Sequence, residues 1–132
     1  MKTIRVAAAV ICRGNKVFAV QRGYGEYKDF WEFPGGKIEP GERAEEALVR
    51  EILEEHATEI RVLNSLGTIE YDYPSFHLSM ECFLSEVVSG TLDLLEAEDA
   101  RWLRADELES VNWLPADRVI LDEVRTILEE SR

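Results

Sequence analysis

Cysteine, histidine and positive charge are all scarce in this 132-residue chain, and each shortage removes a class of function. The two cysteines, Cys12 and Cys82, sit in separate apolar, strand-like runs. Neither has the spacing of a zinc knuckle or a redox pair, so both read as buried reduced thiols. The two histidines, His56 and His77, stand apart and read as structural or exposed side chains. No apolar run approaches the ~20 residues of a membrane span, and "MKTIRVAAAVICR" is too short in its apolar part for a secretory leader. The chain reads as cytoplasmic, with no membrane partner. Fifteen Lys and Arg against 27 Asp and Glu leave a formal charge of −12, which opposes any electrostatic grip on long nucleic acid or an anionic bilayer. A small polyanion can still bind where divalent cations screen it. Repeats and low-complexity linkers are absent too, and 45% hydrophobic content at this length predicts one domain over residues 1–132.

The apolar residues are arranged in short runs. Residues 3–13 and 16–22 are β-branched and separated by Gly14-Asn15, which predicts a hairpin. The glycine-rich stretch 23–37 predicts a loop ending in a short aromatic strand. A helix is expected from Glu42 to His56, then strands over 60–73 and 76–88 with Pro74-Ser75 between them. An acidic loop, 94–99, leads to the strand-like "ARWLR", and "ADELES" predicts a turn of helix. The last helix is expected from about Pro115 to Glu130. Its residues Ala116, Val119, Ile120, Val124, Ile127 and Leu128 recur at helical spacing and predict a core-facing stripe. Strands and two helices mixed in this order predict an α/β (α+β) fold with a mixed sheet covered by helices.

The helix over 42–56 has unusual chemistry. "GGKIEPGERAEEALVREILEEHAT" holds seven glutamates, and Glu51, Glu54 and Glu55 follow Arg50 by one, four and five positions. Like charges at helical spacing repel. At about 100° per residue these three glutamates share an arc with Ala44, Ala47 and Leu48. A solvated acidic face belongs opposite the apolar stripe, whereas a cation site needs carboxylates converging at the edge of the core. Glu45 and Glu46 lie away from that arc and read as solvated. All-oxygen ligands without His or Cys suit Mg2+, with Mn2+ as a substitute, and such ions bind together with substrate phosphates. Gly35-Gly36-Lys37 upstream offers bare backbone and a cation to the same phosphates.

Gly36, five residues, Glu42, seven residues, then Arg50-Glu51-Ile52-x-Glu54-Glu55 resembles the signature of the Nudix hydrolases. Two positions depart: Ala57 stands where the signature has glycine, and Thr58 where it has an aliphatic residue. A left-handed helix end at Ala57 costs on the order of 1 kcal/mol, unless the helix leaves by another route. "WEFPGGKIEPGE", "YDYPSFHLSMECFL" and "WLPADRVIL" extend the likeness, to MutT-type pyrophosphohydrolases, over residues 3–128. The resemblance implies an α/β/α sandwich, Mg2+ dependence and hydrolysis of a nucleoside triphosphate to monophosphate and pyrophosphate by a monomer or weak homodimer.

Roles carried over from the resemblance fall on named residues. Glu51, Glu54 and Glu55 are expected to hold metal with Glu42 and the Gly36 carbonyl, while Arg50 orients Glu51, a candidate base for the attacking water. A further ligand is expected in the acidic loop among Glu96, Glu98 and Asp99, with Glu98 favoured. Arg22 and Lys37 are expected at the triphosphate and Phe33 at the base, with Trp31 in the core. Asp117, where the MutT type has asparagine and the CTP pyrophosphohydrolase branch looks more like this sequence with aspartate, is expected to read the base edge, and its competing role is a cap for the last helix. As an ionised carboxylate it would only accept hydrogen bonds, which fits the N–H groups of guanine or cytosine. Both bases qualify; the resemblance makes oxidised purine triphosphates such as 8-oxo-dGTP the leading substrates, and CTP, dCTP or 5-methyl-dCTP the alternative. A silent binding module is disfavoured because no ligand glutamate is missing.

Overall fold

The computed structural model describes residues 1–92 and 99–131. Strand β1 (Thr3–Arg13) is the axis of the fold. It runs parallel to β6 (Phe76–Ser89), with Thr3 opposite His77 and Ile11 opposite Ser85. Its other side takes β4 (Gly35–Lys37) over Val6–Ala8, antiparallel, and then β2 (Lys16–Gln21). Beyond β2 lie β3 (Trp31–Glu32) and β7 (Asp99–Arg104), and beyond β6 lies β5 (Glu59–Tyr73). One parallel pair among antiparallel neighbours makes the sheet mixed, as expected.

The unbroken apolar run of β1 follows from burial on both faces. Ala7, Ala9 and Ile11 pack with Ala44, Leu48 and Ile52 of helix α1 (Ala44–His56), while Ala8 and Val10 join Ile120, Val124 and Leu128 on the opposite side. Strand β2 divides likewise: Phe18 and Val20 face α1, and Val17 and Ala19 face the other cluster. Alternate side chains therefore glue a helical layer to each face, which is the expected α/β/α sandwich.

Several boundaries move. The Gly14-Asn15 turn forms, with Gly14 at φ +58°, but only Cys12–Val17 and Arg13–Lys16 pair before the strands part to other neighbours. Helix α1 begins at Ala44 rather than Glu42, and the Glu46 carboxylate accepts the Arg43 N–H at 2.9 Å. "ADELES" forms a 3-10 turn. The last helix is not continuous: α2 (Pro115–Arg118) gives way to α3 (Leu121–Glu130). Val119 and Ile120 donate to Ala116 and Asp117, three residues back, and this tighter turn buries Ile120 and leaves Val119 56% exposed. Val119 is thus not core.

Ala57 keeps the left-handed helix exit, at φ +50° and ψ +39°, with its N–H bonded to the Leu53 carbonyl at 3.0 Å. Thr58 is fully buried; its hydroxyl donates to the His56 carbonyl at 2.9 Å and accepts the Leu92 N–H at 2.8 Å. A polar residue is tolerated there because both hydrogen-bonding capacities of its oxygen are used.

Candidate active site

Strand β4 and helix α1 bring the signature together. Glu51 lies against Gly36 so closely that a Cβ on Gly36 would overlap its carboxylate, so any larger residue there would push the Glu51 side chain out of this position. Arg50 is the organiser. Its Nε and Nη2 grip both oxygens of Glu42 at 2.8 and 3.0 Å, Nη1 reaches Glu51 at 2.9 Å and Glu54 at 3.4 Å, and Nη2 also donates to the Lys37 carbonyl at 3.2 Å. Arginine suits this task because its planar fork presents five donors in fixed directions. The hydrogen bonds from Arg50 and from the Glu39 N–H hold the Glu42 carboxyl down at about 2, and the bond to Glu42 drives Arg50 further up. Like-charge repulsion along the helix is thus relieved by one shared cation.

The glutamates are not equally placed. The Glu51 side chain is 14% exposed and Glu55 is half-buried, as the shared apolar arc requires, whereas Glu54 is 59% exposed. The expectation of a common flank is corrected for Glu54, which points to solvent from the rim. Glu45 is half-buried and Glu46 exposed. Among the described residues no three His, Cys, Asp or Glu side chains already form a metal cage; the carboxylates are turned toward Arg50. Hard oxygen donors crowded around a glycine strand nevertheless fit Mg2+ or Mn2+ in chemistry and access. Glu96 and Glu98 lie outside the described residues. Asp99 starts β7 opposite Gln21, and its carboxylate accepts the neighbouring Ala100 N–H at 2.8 Å.

From this cluster a cavity of about 790 Å3 extends across the sheet. Its lining brings Glu51, Glu55, Gly36 and Lys37 together with Phe33, Tyr73, Phe76 and Asp117, and Arg22 and Glu32 also stand on its wall. Trp31 is buried in the core, beneath the Arg101 guanidinium. Phe33 is buried against Trp113, with ring centroids 4.6 Å apart. Its N–H donates to Asp117 Oδ2 at 2.9 Å, so Asp117 ties α2 to the aromatic strand, and its carboxyl also accepts its own backbone N–H in the first turn of α2. Tyr73, at the tip of the β5–β6 hairpin, accepts the Ala116 N–H on its hydroxyl at 3.1 Å and anchors the same helix from the other side.

Burial first, and then the negative charge of Glu32, push the Asp117 carboxyl up to about 8, against the opposing pull of the Phe33 N–H and Arg22. Against the expectation of an ionised, purely accepting Asp117, the buried and already negative wall that holds it favours the protonated form. Glu32 had no role in the sequence reading. Its charge acts through space on residues that are distant in the chain, and the only local sign was a carboxylate between two aromatic residues. His77 bridges Asp72 and Glu70 at 2.6 and 2.7 Å on the outside of the hairpin, away from the cavity.

Fold and site together define a Nudix hydrolase. Residues 2–124 match the NUDIX domain, and the chain belongs to that family. Among its relatives, the CTP pyrophosphohydrolase of Escherichia coli is 32% identical over 92% of this chain and 91% of its own length. The 8-oxo-dGTP diphosphatase of the same organism is 28% identical over 96% and 100%. The solution structure of the E. coli ORF135 protein superimposes with a TM-score of 0.81 at 32% identity, covering 100% of this chain and 94% of that one. The MutT Nudix hydrolase of Burkholderia pseudomallei shares the fold at a TM-score of 0.86 and 23% identity, over 94% and 99%.

Proposed function

We propose that this chain, acting as one domain, is a Mg2+-dependent pyrophosphohydrolase of (deoxy)nucleoside triphosphates that removes oxidised nucleotides such as 8-oxo-dGTP from the cytoplasmic pool. The observation that carries the reading is the single cavity connecting the Glu51–Gly36 contact to the aromatic wall at Phe33 and Asp117. That span suits a substrate with a phosphate chain at one end and a base at the other.

Glu51, Glu54 and Glu55, with Glu42 and the Gly36 carbonyl, would hold the metal, and Glu98 would be a further ligand. When bound, Mg2+ neutralises phosphate charge and makes water a better nucleophile. Arg50 keeps the Glu51 carboxylate aimed along Gly36, where Glu51 takes the proton of the attacking water. The water oxygen bonds to phosphorus, the bridging P–O bond breaks, and its electron pair leaves with the second product, giving monophosphate and pyrophosphate. Arg22 and Lys37 balance the phosphate charge, and positioning with electrostatics supplies most of the acceleration. At the other end Phe33 flanks the base. A neutral Asp117 donates one hydrogen bond and accepts another, so it matches an edge alternating acceptor and donor: O6 and N1–H of guanine, or N3 and the amino group of cytosine.

The cytidine reading, CTP, dCTP or 5-methyl-dCTP, is supported by aspartate at 117 and by the E. coli CTP pyrophosphohydrolase among the relatives. Pyrophosphate release with Mg2+ across 8-oxo-dGTP, dGTP, CTP, dCTP and 5-methyl-dCTP separates the two. The highest kcat/KM on 8-oxo-dGTP supports the sanitising role, preference for cytidine nucleotides moves the assignment to the alternative, and turnover of none rejects both.

A further inference from the structure

A carboxylate on the wall of a polyphosphate site repels the substrate unless its charge is directed elsewhere, and Glu32 is in that position. Strand β3 is only two residues long, and its register puts Glu32 opposite Val20, two residues before Arg22. The Arg22 backbone is fixed by its N–H to the Phe30 carbonyl at 2.9 Å and by its carbonyl to the Asp29 N–H at 2.8 Å. Its side chain is gripped from one edge: Nε meets Glu32 Oε2 at 3.2 Å, and Nη2 meets Oε1 at 2.9 Å. The pair is only partly solvated, at 34% and 24% exposure, and no other hydrogen bond to a described residue is made by the guanidinium. Its Nη1 edge therefore keeps its donors for a ligand. A bidentate fork fixes both the direction and the plane of an arginine, which a single contact does not.

We propose that Glu32 is a positioning residue for substrate binding: by holding the Nε–Nη2 edge of Arg22 it presents the Nη1 edge to the phosphate chain in the cavity. This rests on the proposed contact of Arg22 with the triphosphate. The same carboxylate also faces Asp117 electrostatically, so the test must separate the two effects.

A double-mutant cycle of Glu32→Gln, Arg22→Met and the pair does so when run both in the wild type and in Asp117→Asn, where residue 117 cannot titrate. Two readouts are taken with Mg2+: KM and kcat on the best substrate of the panel, and Kd for the non-hydrolysable α,β-methylene analogue of that same substrate, with melting temperature as the fold control. Losing one charge-assisted alignment is expected to raise KM and Kd about tenfold in Glu32→Gln, with kcat within about twofold. In the Arg22→Met background the same substitution is expected to change neither. An equal loss in both backgrounds overturns the proposal, since Glu32 would then act on the ligand or the fold without Arg22. Tighter binding in Glu32→Gln overturns it too, because the carboxylate would be merely repulsive. Unchanged binding in Arg22→Met removes the Arg22 contact and the proposal together, as does an analogue that fails to bind the wild type. Binding without turnover would reject the hydrolase reading while the Kd cycle still decides the role of Glu32.

Discussion

At the residue scale, Glu51 and Asp117 differ in what holds them. Glu51 touches Gly36 and one donor of Arg50 and belongs to the proposed proton transfer. Glu51→Gln keeps the shape and the contact with Arg50 but has no basic lone pair to spare. Turnover is expected to fall by a factor on the order of 10² or more, with melting temperature within a few degrees of wild type. A near-normal rate in a pyrophosphate assay would falsify its role as base. Asp117 has its folded value, about 8, above the model-peptide value of 3.8. The folded protein therefore keeps a proton that the unfolded chain gives up between those values. Its contribution to stability is complete below about 4 and is lost as pH rises toward 8. Asp117→Asn cannot titrate and can still accept the Phe33 N–H. Its melting temperature relative to wild type is expected to climb from pH 5 to pH 9; a constant difference would show that the buried acid does not titrate in this window.

At the element scale, α1 shows how far local rules reach. The seven-residue gap between Glu42 and Arg50 puts a loop residue and a helix residue in register for a bidentate pair. The helix ends where the signature has its glycine, in the left-handed conformation glycine favours, although the residue is Ala57. Ala57→Gly is expected to raise stability by about 0.5–1 kcal/mol, or a few degrees in a melting experiment, with kcat unchanged. No gain would mean that unfolded-state entropy offsets the relieved strain. The broken last helix marks the limit of periodicity. Val119 fits the 3.6-residue repeat as well as Ile120 does, and only the tight turn at Ala116–Ile120 decides which is buried.

At the scale of the whole molecule, a charge of −12 concentrates repulsion in a small volume, and the acidic helix adds to it locally. Salt should raise the melting temperature by screening. Mg2+ should raise it further than NaCl at equal ionic strength, because an ion bound by the folded state alone stabilises it by mass action. The excess is expected to vanish in Glu51→Gln/Glu54→Gln. An equal response to both salts would leave the glutamates as a screened acidic patch without a specific ion.

The pattern from Gly36 to Glu55 was legible before any coordinates because its parts are close in the chain, and helix geometry converts their spacing directly into shared contacts. The mixed sheet and its two helical faces were legible for the same reason: the unbroken apolar run of β1 requires cover on both sides. The exposure of Glu54, the upward pull on the Asp117 carboxyl and the grip of Glu32 on Arg22 were not. Each depends on which distant segments share a wall, on how dry that wall is, and on the charges it already carries. Residue order carries none of these until β3, α2 and the β5–β6 hairpin meet around one cavity.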